Sequence, residues 1–193
     1  MTEEQTRQRI LDAALQLFSE RGYDGTATRA IAALAGVNEV TLFRHFGSKK
    51  GLFQAMLRRS SALPGLESAL RERLTGDFRQ DLLVLATQFL TFLHARYKQI
   101  IMLLAEAERQ PELLEMVAFI PLQQRQMVSD YLRWQMAEGH MRFMDPDLAV
   151  QGLFGMLLSY CLGQSLLPEA LKRMPLEEVA AQFVDLFVEG VRK

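Results

Sequence analysis

The sequence predicts an all-α protein, on three observations. Leucine (32) and alanine (20) outnumber valine, isoleucine and threonine (10, 5 and 8), so strong helix formers dominate the β-branched residues that favour strands. Apolar residues recur at intervals of three and four, and no stretch alternates apolar and polar for long. Capping residues and glycines or prolines stand at the ends of the periodic stretches.

Taken in order, the first helix is expected to open at Thr2, where Thr2 and Gln5 have capping-box spacing. Its apolar stripe is Ile10, Leu11, Ala14, Leu17 and Phe18, and Gly22 ends it. After the turn GYDGT, a short helix over Thr28–Ala35 is expected with Thr28 as its cap, broken by Gly36. Asn38 caps a third helix through Phe46, and Ser48 caps a fourth carrying Leu52, Phe53, Met56 and Leu57. A module boundary is expected between Ser60 and Gly65, giving domains over 1–62 and 63–193. The rest reads as longer helices over 66–74, 78–96, 98–109, 112–119, 122–138, 146–167 and 176–191, with Asp145-Pro146 as a strong start signal. Residues 148–167 carry no charge and are long enough to span a bilayer, but Gln151, Ser159, Gln164, Ser165 and three glycines favour a helix buried in protein.

At 193 residues, with 49% hydrophobic residues, 12 glycines and 6 prolines, the chain suits one or two globular domains and excludes collagen-like or disordered classes. Its single cysteine, Cys161, excludes an internal disulfide and favours a reducing compartment, the cytoplasm. The start MTEEQTRQRI is polar and lacks the apolar run of a secretory signal. The net charge of −1 conceals an asymmetry. Residues 1–60 hold nine Lys/Arg against six Asp/Glu, whereas residues 61–193 hold 13 against 17. A basic N-terminal third suits an end that meets a polyanion.

The segment TRAIAALAGVNEVTLFRHFGSKK (28–50) carries the functional signal. Ala32, Gly36 and Leu42 have helix-turn-helix spacing. A small residue at Ala32 lets two helices cross closely, Gly36 permits the sharp turn, and Val37, Leu42 and Phe46 tie the second helix to the core. Around it stand F-x-E-x-G-Y-x-x-T at Phe18–Thr26, I-A-x-x-A-G-V at Ile31–Val37 and T-L-x-x-H-F-x-S-K at Thr41–Lys49. With these motifs the chain resembles the TetR family of transcriptional regulators over about residues 7–56. Beyond residue 65 the likeness is one of length and helical character.

The resemblance implies an N-terminal helix-turn-helix three-helix domain that binds double-stranded DNA, and a larger C-terminal helical domain for effector binding and dimerisation. It places the third helix in the major groove, with Asn38, Glu39, Val40, Thr41, Phe43 and Arg44 on or near the DNA. Arg44 can donate twice to guanine, Glu39 can accept from cytosine N4, and Val40 or Phe43 can touch a thymine methyl. Thr28, Arg29, His45, Lys49 and Lys50 are expected to hold phosphates. Family members commonly have tyrosine where Phe43 stands, and Glu39 is acidic on a surface that approaches phosphates.

In the second half, methionines and aromatics suggest an adaptable apolar pocket or a core, with Phe89, Phe92, Leu93, Met102, Met127, Tyr131 and Trp134 as candidate ligand contacts. Glu106 and Glu108 suit a cationic group on the ligand, Arg96 or Arg133 an anionic one. The last two helices are too apolar to be covered within one small domain. Phe154, Leu158, Cys161, Val179, Phe183, Leu186 and Phe187 are therefore candidates for a homodimer interface.

No G-x-S-x-G, Walker A, G-x-G-x-x-G or H-E-x-x-H motif occurs, and His45, His94 and His140 are widely spaced, so neither enzyme, metal site nor cofactor is expected. The expected function is a DNA-binding regulator, a repressor released from a palindromic operator by a small apolar or amphipathic effector. The alternative is a regulator whose C-terminal domain only dimerises or binds a protein partner.

Overall fold

The computed structural model describes residues 2–72, 74–108, 111–167, 169 and 174–192, the side chains of 98, 99, 102, 105 and 106 excepted. Among these residues lie nine α-helices and no strand: α1 (Glu3–Arg21), α2 (Thr28–Leu34), α3 (Glu39–Phe46), α4 (Lys49–Arg59), α5 (Leu63–Glu72), α6 (Phe78–Ala107), α7 (Pro111–Ala137), α8 (Pro146–Leu166) and α9 (Leu176–Val191). None of them is long and apolar enough to cross a membrane.

Local chemistry sets most helix ends. Both halves of the capping box are made at α1, where Thr2 accepts from the Gln5 N–H and the Gln5 side chain accepts from the Thr2 N–H. Asn38 caps α3, Ser48 caps α4, and Asp145 accepts from the N–H groups of Asp147 and Leu148 at α8. Helix α2 ends in a Schellman motif. Val37 N–H donates to Ala32 O and Gly36 N–H to Ala33 O, with Gly36 at φ +65°, a conformation that favours glycine.

Three expectations are corrected. Thr28 does not cap α2: the N-cap is Ala27, without a side-chain bond, and the Thr28 hydroxyl is turned to Glu39. The helices expected over 78–96 and 98–109 are one, because no glycine or proline stands at Tyr97 to end the run. Those expected over 112–119 and 122–138 are also one, with Pro121 inside it. An internal proline costs about 3 kcal/mol. Buried Leu113, Met116, Val117 and Ile120 before it, and Val128, Tyr131 and Leu132 after it, more than offset that cost.

The chain divides into two compact units, one of Met1–Ser61 with Leu104–Ile120, the other of Ala62–Leu103 with Pro121–Lys193. Residues 104–120, expected in the second domain, thus join the first, and α6 and α7 supply residues to both.

The first unit is built on buried Ile10, Leu11, Ala14, Leu17, Ile31, Ala32, Leu42 and Leu52, with Phe18, Tyr23 and Phe53 as an aromatic trio. Arg59 ties α4 to α1 through Gln8 and the Asp12 carboxylate, 2.7 Å away. Thr26 is fully buried, its hydroxyl within 2.8 Å of Gly22 O and 3.0 Å of Leu17 O, which pins the GYDGT turn to the end of α1. Thr26→Val, nearly isosteric, leaves those carbonyls without this donor and is expected to destabilise the protein by about 1–3 kcal/mol. Urea denaturation checks it: an unchanged midpoint would show the hydroxyl to be dispensable.

The second unit is a larger helical core around Leu66, Leu82, Leu85, Leu90, Leu132, Leu153, Leu157 and Val184. Through it runs a polar chain. Thr75 N–H, Thr75 Oγ1 and Gly76 N–H donate to the buried Asp81 carboxylate, as does Tyr131. Gln135 donates to the Tyr131 oxygen and is itself 2.6 Å from His140 Nδ1. At the surface, Arg79 grips Asp185 of α9 with two bonds, which raises the Arg79 pKa and lowers that of Asp185.

Candidate nucleic-acid interface

The first unit presents α3, joined to α2 by the turn at Gly36 and to α4 by Gly47 and Ser48. Leu42 is the buried anchor of α3. With Leu42 inward, the 3.6-residue period carries Val40, Phe43 and Arg44 outward, where Val40 is 77% and Phe43 39% exposed. Arg44 is exposed and makes no hydrogen bond or ion pair among the described residues.

The polar residues at the start of α3 are already engaged. Asn38 Oδ1 accepts from the Thr41 N–H at 2.8 Å. Glu39 Oε1 accepts from the Thr28 hydroxyl at 2.5 Å, bracing α3 against the first residue of α2. Two residues expected to touch DNA, one at phosphate and one at cytosine, therefore hold each other. Arg29 is exposed beside them and Thr41 half-buried.

Both lysines of α4 are positioned by other residues of the unit. Lys49 Nζ lies 4.5 Å from the centre of the Tyr23 ring, a cation–π placement. Lys50 Nζ is 3.5 Å from the Glu115 carboxylate of α7, both side chains being largely exposed. Burial first, then the charges of Asp24 and Glu112, raise the Tyr23 pKa, so its phenol stays neutral under the lysine. His45 differs from expectation: its Nε2 is buried without a partner, so a phosphate cannot meet that atom in this conformation. Neither Tyr23 nor Glu115 was expected at the site. Tyr23 belongs to the quoted G-Y motif, whereas no pattern in the sequence links Glu115 to Lys50.

The candidate ligand residues lie mostly in the second unit's core. Phe89 is buried and stacked on Phe154 at 4.3 Å, Leu93 and Tyr131 are buried, Phe92 and Met127 pack against the core, and Trp134 is 47% exposed. The Met102 and Glu106 side chains lie outside what the structure describes. Among the described side chains, none of the expected set lines the unit's cavity of about 550 Å³, which is bounded by His94 and Tyr97 of α6, Tyr160, Cys161 and Gln164 of α8 and Leu176 of α9, among others. Burial pushes the Cys161 thiol up, so it is a neutral wall group. Of the candidate dimer residues, Cys161, Val179 and Phe187 are buried in the unit's own core and Phe154 and Phe183 pack against it. Leu158 (37% exposed) and Leu186 (62%) remain open to a partner.

A short helix, a glycine turn and a second helix with an outward arginine, followed by a lysine-bearing helix start, define a DNA-binding regulator of the helix-turn-helix class. Comparison with known proteins makes the class specific. Residues 10–56 match the model of bacterial regulatory proteins of the tetR family, and residues 80–190 match the C-terminal domain of AefR-like transcriptional repressors. The HTH-type transcriptional regulator YvkB of Bacillus subtilis is 31% identical over 96% of this chain and 97% of its own length. The chain belongs to the TetR family of transcriptional regulators, DNA-binding proteins that act as dimers and are not enzymes. The fold agrees: a TetR-family regulator from Mesorhizobium loti superposes with a TM-score of 0.70 over all of both chains at 24% identity. The flavonoid-responsive regulator FrrA does so at 0.71, 26% identical over 97% of each.

Proposed function

We propose that the protein is a repressor that binds a near-palindromic operator as a homodimer and leaves it when a small amphipathic molecule occupies the second unit. Outward Arg44 on a helix otherwise anchored by Leu42 is the observation that carries the DNA half of this reading. Two copies of α3 would occupy major grooves about 34–36 Å apart or a multiple of that. Leu158 and Leu186, exposed on α8 and α9, support pairing through those helices. Match to a repressor-type C-terminal domain supports repression.

The cavity supports the effector. Its volume, about 550 Å³, suits a drug-sized molecule. Two tyrosines and a histidine offer hydrogen bonds beside apolar Leu176 and neutral Cys161. That mixture fits an amphipathic ring compound, and FrrA is named for its response to flavonoids. His94 and Tyr97 stand on α6, the helix that runs on into residues 104–107 of the DNA-binding unit. A ligand that favours one setting of α6 over another has the differential affinity any such switch requires.

Selection of bound duplexes from a random pool, at two salt concentrations, tests the reading. It predicts an inverted repeat; salt-sensitive binding with no consensus would refute it. In the same assay Lys49→Ala is expected to weaken all sequences alike and to flatten the salt slope by about 2 per dimer, since each lost phosphate contact contributes about 0.9. An unchanged slope would remove Lys49 from the phosphate contacts.

A further inference from the structure

Val40 and Phe43 form an outward apolar pair, three residues apart on one face of α3 and next to Arg44. Val40 is 77% exposed, although Leu42 beside it is fully buried. In the major groove the base edges present donors and acceptors everywhere except at one apolar group, the C5-methyl of thymine, which cytosine carries only when methylated. The polar residues able to read bases from the same turn each spend an acceptor within the protein, Glu39 Oε1 on the Thr28 hydroxyl and Asn38 Oδ1 on the Thr41 N–H, whereas the apolar pair is free of such ties. In particular, one oxygen of the carboxylate suited to unmethylated cytosine is taken by Thr28, which fixes where that side chain stands.

We infer that Val40 and Phe43 read pyrimidine C5-methyl groups beside the guanine taken by Arg44. The protein then distinguishes thymine from uracil, and methylated from unmethylated cytosine, at the contacted positions of its operator. Cytosine methylation within a half-site thereby becomes a signal the regulator responds to. The inference rests on α3 lying in the major groove.

The test uses the full-length protein and the selected operator, with each thymine replaced in turn by uracil in both half-sites. Removing one methyl from a buried apolar contact costs about 0.8 kcal/mol, or about fourfold, hence about 15-fold for the symmetric pair. One or two positions per half-site are expected to show this loss. At those positions 5-methylcytosine is expected to bind more tightly than cytosine by the same factor. With Val40→Ala or Phe43→Ala, sensitivity at the position each side chain contacts should vanish while sensitivity elsewhere persists. Indifference to uracil at every position, or sensitivity unaltered in both variants, overturns the inference. Indifference to uracil together with loss of specific binding in Arg44→Ala would show that α3 enters the groove and reads no methyl.

Discussion

Replacing Arg44 by alanine is expected to weaken operator binding by about 2–6 kcal/mol per dimer, because a bidentate arginine–guanine contact contributes about 1–3 kcal/mol in each half-site. Binding to unrelated duplex should fall far less. The asymmetry follows from where the residue stands: exposed on α3, next to Val40 and Phe43 and without a partner among the described residues, its fork of five donors is free to meet a base edge. The lysines provide the contrast. Lys49 over the Tyr23 ring and Lys50 beside Glu115 sit at the start of α4, where charge and helix N-terminus suit phosphate rather than bases. Titrations of operator and scrambled duplex at one salt concentration separate the two roles. An equal fall on both would make Arg44 a phosphate contact.

What the sequence disclosed and what it withheld differ by range. Thr2 with Gln5, Asn38, Ser48 and Asp145 announce helix starts because a cap bonds to N–H groups two or three residues away. Gly36 announces the α2–α3 turn because its positive φ is disfavoured for other residues. The outward face of α3 was legible for the same reason: α3 is short and its anchor Leu42 sits within a turn of Val40 and Arg44. Thr28 misled because threonine before an apolar run reads as a cap, whereas its hydroxyl finds Glu39, 11 residues on. Continuity of α7 through Pro121 depends on burial on both sides, which no local rule contains. Glu115 beside Lys50 is a pairing across 65 residues and left no trace in spacing.

The lining of the second unit's cavity was the least legible. Large apolar side chains gain most by burial, so Phe89, Leu93 and Tyr131 went to the core. The cavity was left to side chains of mixed polarity, His94, Tyr97, Tyr160 and Gln164, which no periodicity marks.

Tyr131 leads to the second large effect. Asp81→Ala is expected to destabilise the protein by about 3–5 kcal/mol, the cost of emptying a buried, multiply bonded carboxylate site. Asp81 is fully buried and accepts from Thr75 N–H at 2.7 Å, Thr75 Oγ1 at 3.1 Å, Gly76 N–H at 3.3 Å and Tyr131 Oη at 3.1 Å. Burial first, then the Asp81 charge, raise the Tyr131 pKa, so the phenol remains the donor at every pH where the regulator works. Alanine strands those donors. Asparagine keeps one acceptor oxygen for Thr75 but brings an NH2 group to the Gly76 N–H and the phenol, so Asp81→Asn should fall between alanine and wild type. Tyr131→Phe removes a single hydroxyl and leaves Gln135 without its acceptor, at about 1–3 kcal/mol. Denaturant midpoints for the three variants and for the Asp81→Ala/Tyr131→Phe double variant complete the cycle. Strong coupling between the two sites is expected. Additive losses, or a cost below about 1 kcal/mol for Asp81→Ala, would mean that water satisfies these groups and that the polar chain from Asp81 to His140 does not hold the second unit together.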